Sequence, residues 1–588
     1  MKKSKNWRYF PRKKPIILFT IVILLHLFLA ENVFSQEIDP IFNLRDRFHP
    51  VAAQNGIVAS QEQLATRAGL EVLKEGGNAI DAAVTVGFTL AVTLPRAGNL
   101  GGGGFMLIHL AENNQNLAID YREKAPLAAT KDMFLDENQE VDSLKSRFSH
   151  LSVGVPGTVA GMIMVLEKYG TISLERALKP AIELASQGYP VTESFRISLE
   201  FARRSMQAST ASMEIFFKPD GSAYNAGEIF VQKDLANSLK LISERGKNAF
   251  YRGEIAKKIT ADMKENGGLI TLADLAAYEP VIRQPVKGNY RGYDIISMPP
   301  PSSGGIHLIQ ILNILERFPL SSLGHNTAQS IHLMTESMKL AYADRSKYLG
   351  DSDFVSVPIK ELTSKKYADR LRKKINYYRA TPSQEIAPGN PYNLRESNQT
   401  THYSIIDKYG NAVANTYTLN FSYGTGITVP GTGILLNNEM DDFVAKPGVP
   451  NAFGLIGGEA NAIEPEKRML SSMTPTIVLK DNKPFLITGS PGGSKIITTV
   501  LQIITNVIDF KMNIAEATNA VRFHHQWLPD RLEVEEDLNG DTVRLLTRRG
   551  HKIVRTNAIG STQSITNVNN KFYGASDPRR PDALTIGY

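Results

Sequence analysis

ESNQTTHYSIIDKYGNAVANTYTLN, residues 396–420, is the stretch from which the fold and the chemistry are read. The breaker-rich run APGNPYNLRESNQ (387–399) leads into it. Strand THYSIID, turn KYGN (408–411) and strand AVANTYTLN then make a hairpin pattern. Two threonines, Thr400 and Thr401, stand where loop becomes strand. Taken alone, a threonine there is an ordinary β-branched strand residue. One chemistry gives it another role. A hydroxyl is a weak nucleophile unless a base lies within hydrogen-bond reach. If the chain were cut before Thr400, the freed α-amine would sit on the same residue, and its pKa of about 7.7–8.0 leaves it partly neutral near pH 7. Such a device needs no histidine, cysteine or metal.

Further along, TPTIVLK (474–480), turn DNK and PFLITG (484–489) form a second hairpin, which empties into the apolar segment SPGGSKIITTVLQIITNVIDF (490–510). Gly492 and Gly493 fall between strand end and helix start, where backbone N–H groups are unpaired and the helix dipole favours negative charge. They suit an oxyanion hole; a plain strand-to-helix turn is the alternative. Upstream, Ser60 and Gln63 read as a capping box for a helix ending at Gly76–Gly77. NAIDAAVTVGFTLAVTLP (78–95) reads as a buried helix, FMLIHL and LAIDYRE as strands, and about 306–350 as one long helical segment. Hairpins with long apolar helices, and no dominant βαβ alternation, imply an α+β fold or a layered helix–sheet–sheet–helix architecture.

The chain has no cysteine, which excludes disulfide frameworks, thiolate metal sites and a cysteine nucleophile. It has no G-x-S-x-G elbow, H-E-x-x-H or Walker loop. In GNLGGGG (98–104) a helix precedes and a strand follows, the reverse of a dinucleotide loop, so close backbone packing is expected there. The adjacent histidines of FHHQW (523–527) would point to opposite faces of a strand, which argues against a shared metal site.

Residues 1–35 combine seven cations in MKKSKNWRYFPRKK with the apolar run PIILFTIVILLHLFLA, and Val33 and Ser35 suit cleavage before Gln36. This is the pattern of a signal peptide, so a periplasmic or secreted protein is expected; an uncleaved anchor is the alternative. Without residues 1–35 the chain carries 59 basic against 58 acidic residues, which gives no electrostatic case for nucleic acid or an anionic membrane.

Taken together, NQTTHYSIID…GNAVANTYTLN, GILLNNEMDDF, KRMLSSMTPTIV, TGSPGGSKI, GNLGGGGF, DYREKAP and MPPPSSGGIH resemble the bacterial γ-glutamyltranspeptidases, in the same order from about residue 40 to the C-terminus. The resemblance implies a four-layer αββα sandwich of the N-terminal nucleophile hydrolase type. It implies one precursor cut between Gln399 and Thr400 into a large (36–399) and a small (400–588) subunit that together form one αββα unit, with no cofactor. Thr400 is then the nucleophile, Thr418 its supporting hydroxyl, and Gly492 and Gly493 the oxyanion hole. Arg122, Ser471 and Ser472 would hold the α-carboxylate of a γ-glutamyl group; Asn420, Glu439 and Asp442 would hold its α-ammonium. Glutathione and related γ-glutamyl compounds are the implied donors, and water, amino acids or peptides the acceptors.

Two positions depart from common members of the family. Glu439 stands where several bacterial relatives have glutamine; with Asp442 it either strengthens cation binding or, by like-charge repulsion, keeps one carboxyl protonated. Phe453, in a lid corresponding to about 444–458, replaces the gating tyrosine of the enterobacterial type. A looser gate favouring hydrolysis over transfer is expected. Two other readings remain at this stage: an acylase of the same fold acting on another amide, such as a glutaryl side chain, and an unprocessed exported solute-binding protein.

Overall fold

A computed structural model of the chain describes residues 46–387 and 400–588. The expected signal peptide and Gln399 lie outside the described residues. The chain divides at His49/Pro50, and Pro50–Tyr588 forms one unit.

Two seven-stranded antiparallel sheets make the centre of that unit. One runs, edge to edge, Leu584–Gly587, Gly56–Ser60, Thr401–Asp407, Ala412–Thr418, Gly103–Leu110, Gln115–Tyr121 and Val281–Arg283. The other runs Val51–Ala53, Lys571–Ser576, Gln563–Val568, Lys483–Thr488, Thr476–Lys480, Tyr293–Ser297 and Val286–Tyr290. The sheets pack face to face, so strands Thr401–Asp407 and Ala412–Thr418 are buried at every residue. Helices Gln63–Lys74, Ala79–Thr93 and Thr158–Tyr169 cover the first sheet. Gly304–Leu315 covers the second, with Lys495–Ile508 packed beside it. This is the expected four-layer αββα arrangement.

The hairpin is tied at both ends. At its turn Asp407 Oδ1 accepts from the N–H groups of Tyr409 and Asn411, while its Oδ2 accepts from Ala79 N at the start of the buried helix, 2.9 Å away. Along the strands, the hydroxyls of Tyr403 and Tyr417 donate to the carbonyls of Ala83 and Gly87 on that helix, each at 2.8 Å. The glycine run packs as expected: a Cβ on Gly102 would lie 2.1 Å from the Thr418 carbonyl oxygen. Only glycine lets this loop approach the strand so closely.

Two sequence expectations need correction. Ser60 ends a strand, and the helix that follows is capped by Glu62, whose carboxylate accepts from Leu64 N and Ala65 N. The segment at 306–350 is two main helices, Gly304–Leu315 and Ala328–Tyr348, broken around Pro319 and Gly324. Proline supplies no N–H to a helix, and Gly324 adopts φ +84°.

Candidate active site

The hairpin register sets the first pair of groups. Thr401 pairs with Tyr417, so one step further along the antiparallel ladder Thr418 faces Thr400. The Thr400 hydroxyl donates to Thr418 Oγ1 over 3.4 Å, and Thr418 Oγ1 also accepts from Asn420 N at 2.8 Å. The strand ends at Thr418, and Asn420, at φ +75°, turns the chain so that its side chain also lines the cavity at Thr400. His402, two residues from Thr400, is no base for it. The ring is buried, held by Thr416 and Ser404, and burial pushes its pKa down to about 3.

The cavity is lined by Thr400, Thr418, Asn420, Arg122, Glu439, Asp442, Ser471, Ser472, Phe453 and Gly493, together with Arg345. Of the residues expected to form the site, Gly492 lies just beyond the lining, one residue before Gly493, and Gln399 lies outside the described residues. Gly492 and Gly493 adopt φ +134° and +53°, ahead of helix Lys495–Ile508. Neither N–H finds an acceptor among the described residues, as an oxyanion hole requires. A Cβ on Gly493 would fall 2.6 Å from the Phe453 ring. That ring meets Phe421 edge-on with centroids 6.0 Å apart, and Gln526 Nε2 donates to the Phe453 carbonyl.

Charge in the site is arranged around Arg122. Its Nη1 binds Glu439, its Nη2 binds Asp442 Oδ2 at 2.5 Å, and Glu123 Oε2 lies 3.6 Å from Nη1. Three carboxyls around one buried guanidinium cannot all stay ionised cheaply. Burial pushes Asp442 up to about 6 and Glu123 up to about 7, against the pull of Arg122. Burial raises Glu439 well above the usual carboxylate range, with Glu123 and Asp442 adding to the rise. Burial and, after it, like-charge repulsion thus both disfavour the ionised form of Glu439. Its Oε2 has no hydrogen-bond partner among the described residues.

The serines are oriented by the protein as acceptors. Ser471 Oγ accepts from Met473 N at 3.0 Å, and Ser472 Oγ accepts from Arg345 Nη2 at 3.3 Å. Each hydroxyl proton is thus left to donate to an anion. Arg345, on helix Ala328–Tyr348, was not among the residues singled out from sequence. Its Nε donates to Ser303 Oγ at 2.9 Å, and it makes no ion pair among the described residues. Burial lowers its pKa to about 10, which still leaves it cationic. Nothing in DRSKY (344–348) marks it locally, because the helix is buried along most of its length and its polar residues, such as Glu336, Lys339 and Asp344, are buried with its apolar ones.

One group of metal-ligand type occurs elsewhere: His332, Glu336 and His551 bring ligand atoms within 4.8 Å of one another. His332 Nε2 donates to the Asn376 carbonyl, so its Nδ1 accepts from His551 Nε2 at 2.8 Å. Lys339 Nζ, 2.8 Å from Glu336, supplies the cation. The cluster satisfies itself as a hydrogen-bond network.

A family model for gamma-glutamyltranspeptidase matches residues 65–586. The chain is 55% identical over 546 residues to the glutathione hydrolase proenzyme of Escherichia coli (strain K12), covering 92% of this chain and 93% of that protein. Its fold resembles a cephalosporin acylase from Bacillus halodurans, with TM-score 0.81 at 29% identity, over 94% of this chain and 99% of the acylase. A γ-glutamyltranspeptidase from Helicobacter pylori matches with TM-score 0.55 at 52% identity, over 55% of this chain and 93% of that one. With the family model spanning most of its length and the site assembled from that family's motifs, the chain belongs to the γ-glutamyltranspeptidase family.

Proposed function

We propose that this protein is an exported, self-processing γ-glutamyl hydrolase and transferase, periplasmic or secreted, acting on glutathione and related γ-glutamyl compounds. The observation that carries the reading is the cavity itself: a threonine hydroxyl at the head of a buried strand shares it with Gly493 and with grouped acids, arginines and serines. In processing, Thr400 Oγ attacks the Gln399 carbonyl carbon. The peptide C–N bond breaks, Gln399 is left esterified to Oγ, and water hydrolyses the ester to give chains 36–399 and 400–588. The freed Thr400 amine then takes the Oγ proton as Oγ attacks the γ-carbonyl of the donor. Gly492 and Gly493 N–H groups hold the oxyanion, and the amine returns the proton to the leaving nitrogen. Water resolves the γ-glutamyl ester to glutamate; an amine acceptor gives the transfer product.

The donor's α-carboxylate is met by the Ser471 and Ser472 hydroxyls and the cations Arg122 and Arg345. Its α-ammonium is met by Asn420, Asp442 and the unpartnered Glu439 Oε2. The same acids argue against a glutaryl acylase, since a glutaryl group has no ammonium to offer them. The γ-glutamyl anilide should therefore be hydrolysed at least about 100-fold faster than glutaryl-p-nitroanilide in kcat/KM, the scale of one lost charge-assisted contact. Equal rates on the two anilides would favour the acylase reading.

With Phe453 seated on Gly493 the cavity has room for about 20 Å³, one or two waters, so the segment at 444–458 must move to admit a donor. Phenylalanine covers the site by packing alone. Phe453→Tyr adds a hydroxyl that can anchor the closed lid and exclude water. The transfer-to-hydrolysis ratio should rise several-fold, by about the worth of one hydrogen bond. An unchanged ratio would show that the lid aromatic does not set the partition.

A further inference from the structure

A second pocket, of about 490 Å³, shares the Phe421–Phe453 boundary with the Thr400 cavity. Phe421 lines the second pocket and Phe453 the first. The second pocket is walled by Phe148, Ile197, Phe201 and Phe421, and Arg96 and Arg580 also line it; no acidic residue does. Arg96 is 8% exposed. Among the described residues neither guanidinium makes an ion pair or a side-chain hydrogen bond, and Asp582 and Asp577 act on them only from beyond ion-pair distance. Burial and the field of Arg96 bring Arg580 down to about 10, so both are cationic and repel each other. Two cations lining one pocket, Arg96 buried and Arg580 half-buried, with no counter-ion in contact are costly, and an anion between them lowers the cost. The geometry and charge call for a ligand with one carboxylate and an apolar body.

We infer that this pocket seats the acyl acceptor, with the acceptor's free carboxylate between Arg96 and Arg580 and its apolar side chain against Phe148, Ile197 and Phe201. The inference rests on the γ-glutamyl transferase reading. A dipeptide spans roughly 7 Å from amine to carboxylate, enough to pass one aromatic ring. Its amine, directed past Phe421, attacks the carbonyl carbon of the γ-glutamyl ester. The bond to Thr400 Oγ breaks, and the proton lost by the amine returns to Oγ through the Thr400 amine. The peptide released by a donor such as glutathione would leave by the same pocket.

The test uses the processed wild-type enzyme with γ-glutamyl-p-nitroanilide as donor and either glycyl-phenylalanine or its C-terminal amide as acceptor. The two acceptors have similar amine basicity, because the altered group is one residue away. The acid should show an apparent KM about 10- to 100-fold lower than the amide, as for loss of a charge-assisted contact to two guanidiniums. In Arg96→Gln and Arg580→Gln the acid-to-amide ratio should fall towards one, a ratio taken within each variant and so independent of its overall activity. Equal KM values for the two acceptors in the wild type would overturn the assignment even if neither variant folds. So would an acid preference that survives both substitutions. No p-nitroaniline release at all would instead overturn the γ-glutamyl reading, and this inference with it.

Discussion

Thr400→Ala should purify as one uncut chain with no hydrolysis of γ-glutamyl-p-nitroanilide above background, a loss of at least about 10⁴-fold, the scale seen when a nucleophile is removed. Both losses have one cause. In the proposed mechanism the side chain deleted is the attacking group for its own peptide bond and for the donor amide, and the neutral amine that serves as base exists only after the first attack. The fold should survive: Thr400 precedes the strand, and the ladder contacts of Thr401–Asp407 remain. A cooperative melting transition within a few degrees of the processed wild type would separate lost chemistry from lost structure. Wild-type protein that is cut and active while Thr400→Ala is also cut would assign processing to another residue or another protease.

Arg122→Met should cost about 3–5 kcal/mol of stability and most of the activity, because it leaves Glu439, Asp442 and Glu123 buried without their cation. The pH dependence is the sharper readout. These carboxyls already bind protons more tightly folded than unfolded. Without Arg122 they bind them more tightly still. Between the unfolded carboxylate pKa, near 4, and the raised folded values, the folded state holds more protons than the unfolded state, so stability falls as pH rises. Melting temperatures measured from pH 5 to 9 should drop more steeply in the variant than in the wild type, with the variant closest to wild type at the acid end. Arg122→Lys should restore part of the stability but not the activity, since one ammonium cannot replace a fork that serves two carboxyls. A parallel pH dependence in variant and wild type would mean that the acids do not depend on Arg122 for their charge.

The hairpin, the Gly492–Gly493 turn and the sandwich were legible because each rests on local signals: strand alternation, a two-glycine junction, a helix apolar on every face. That the candidate site residues would line one cavity was legible only through the joint pattern of several motifs, since Arg122, Glu439 and Ser472 are each unremarkable in their own segments. Arg345 escaped because its helix buries polar and apolar residues together along most of its length, so no face sets one cation apart. The engagement of Arg122 by Glu439 and Asp442 spans more than 300 positions in sequence and is settled by tertiary packing. The Ser60 cap failed for a local reason: the strand continues through Ser60, and Glu62 offers its own carboxylate two residues later. Arg96 and Arg580 lie far apart in the chain and come together only around the pocket beside Phe421.

The most direct measurement is N-terminal sequencing of the catalytically active protein, with intact masses taken on the same sample. Two chains are expected, the smaller beginning Thr-Thr-His-Tyr and matching residues 400–588 in mass. Full activity in a preparation with no chain beginning at Thr400 would contradict a mechanism in which one residue supplies both nucleophile and base.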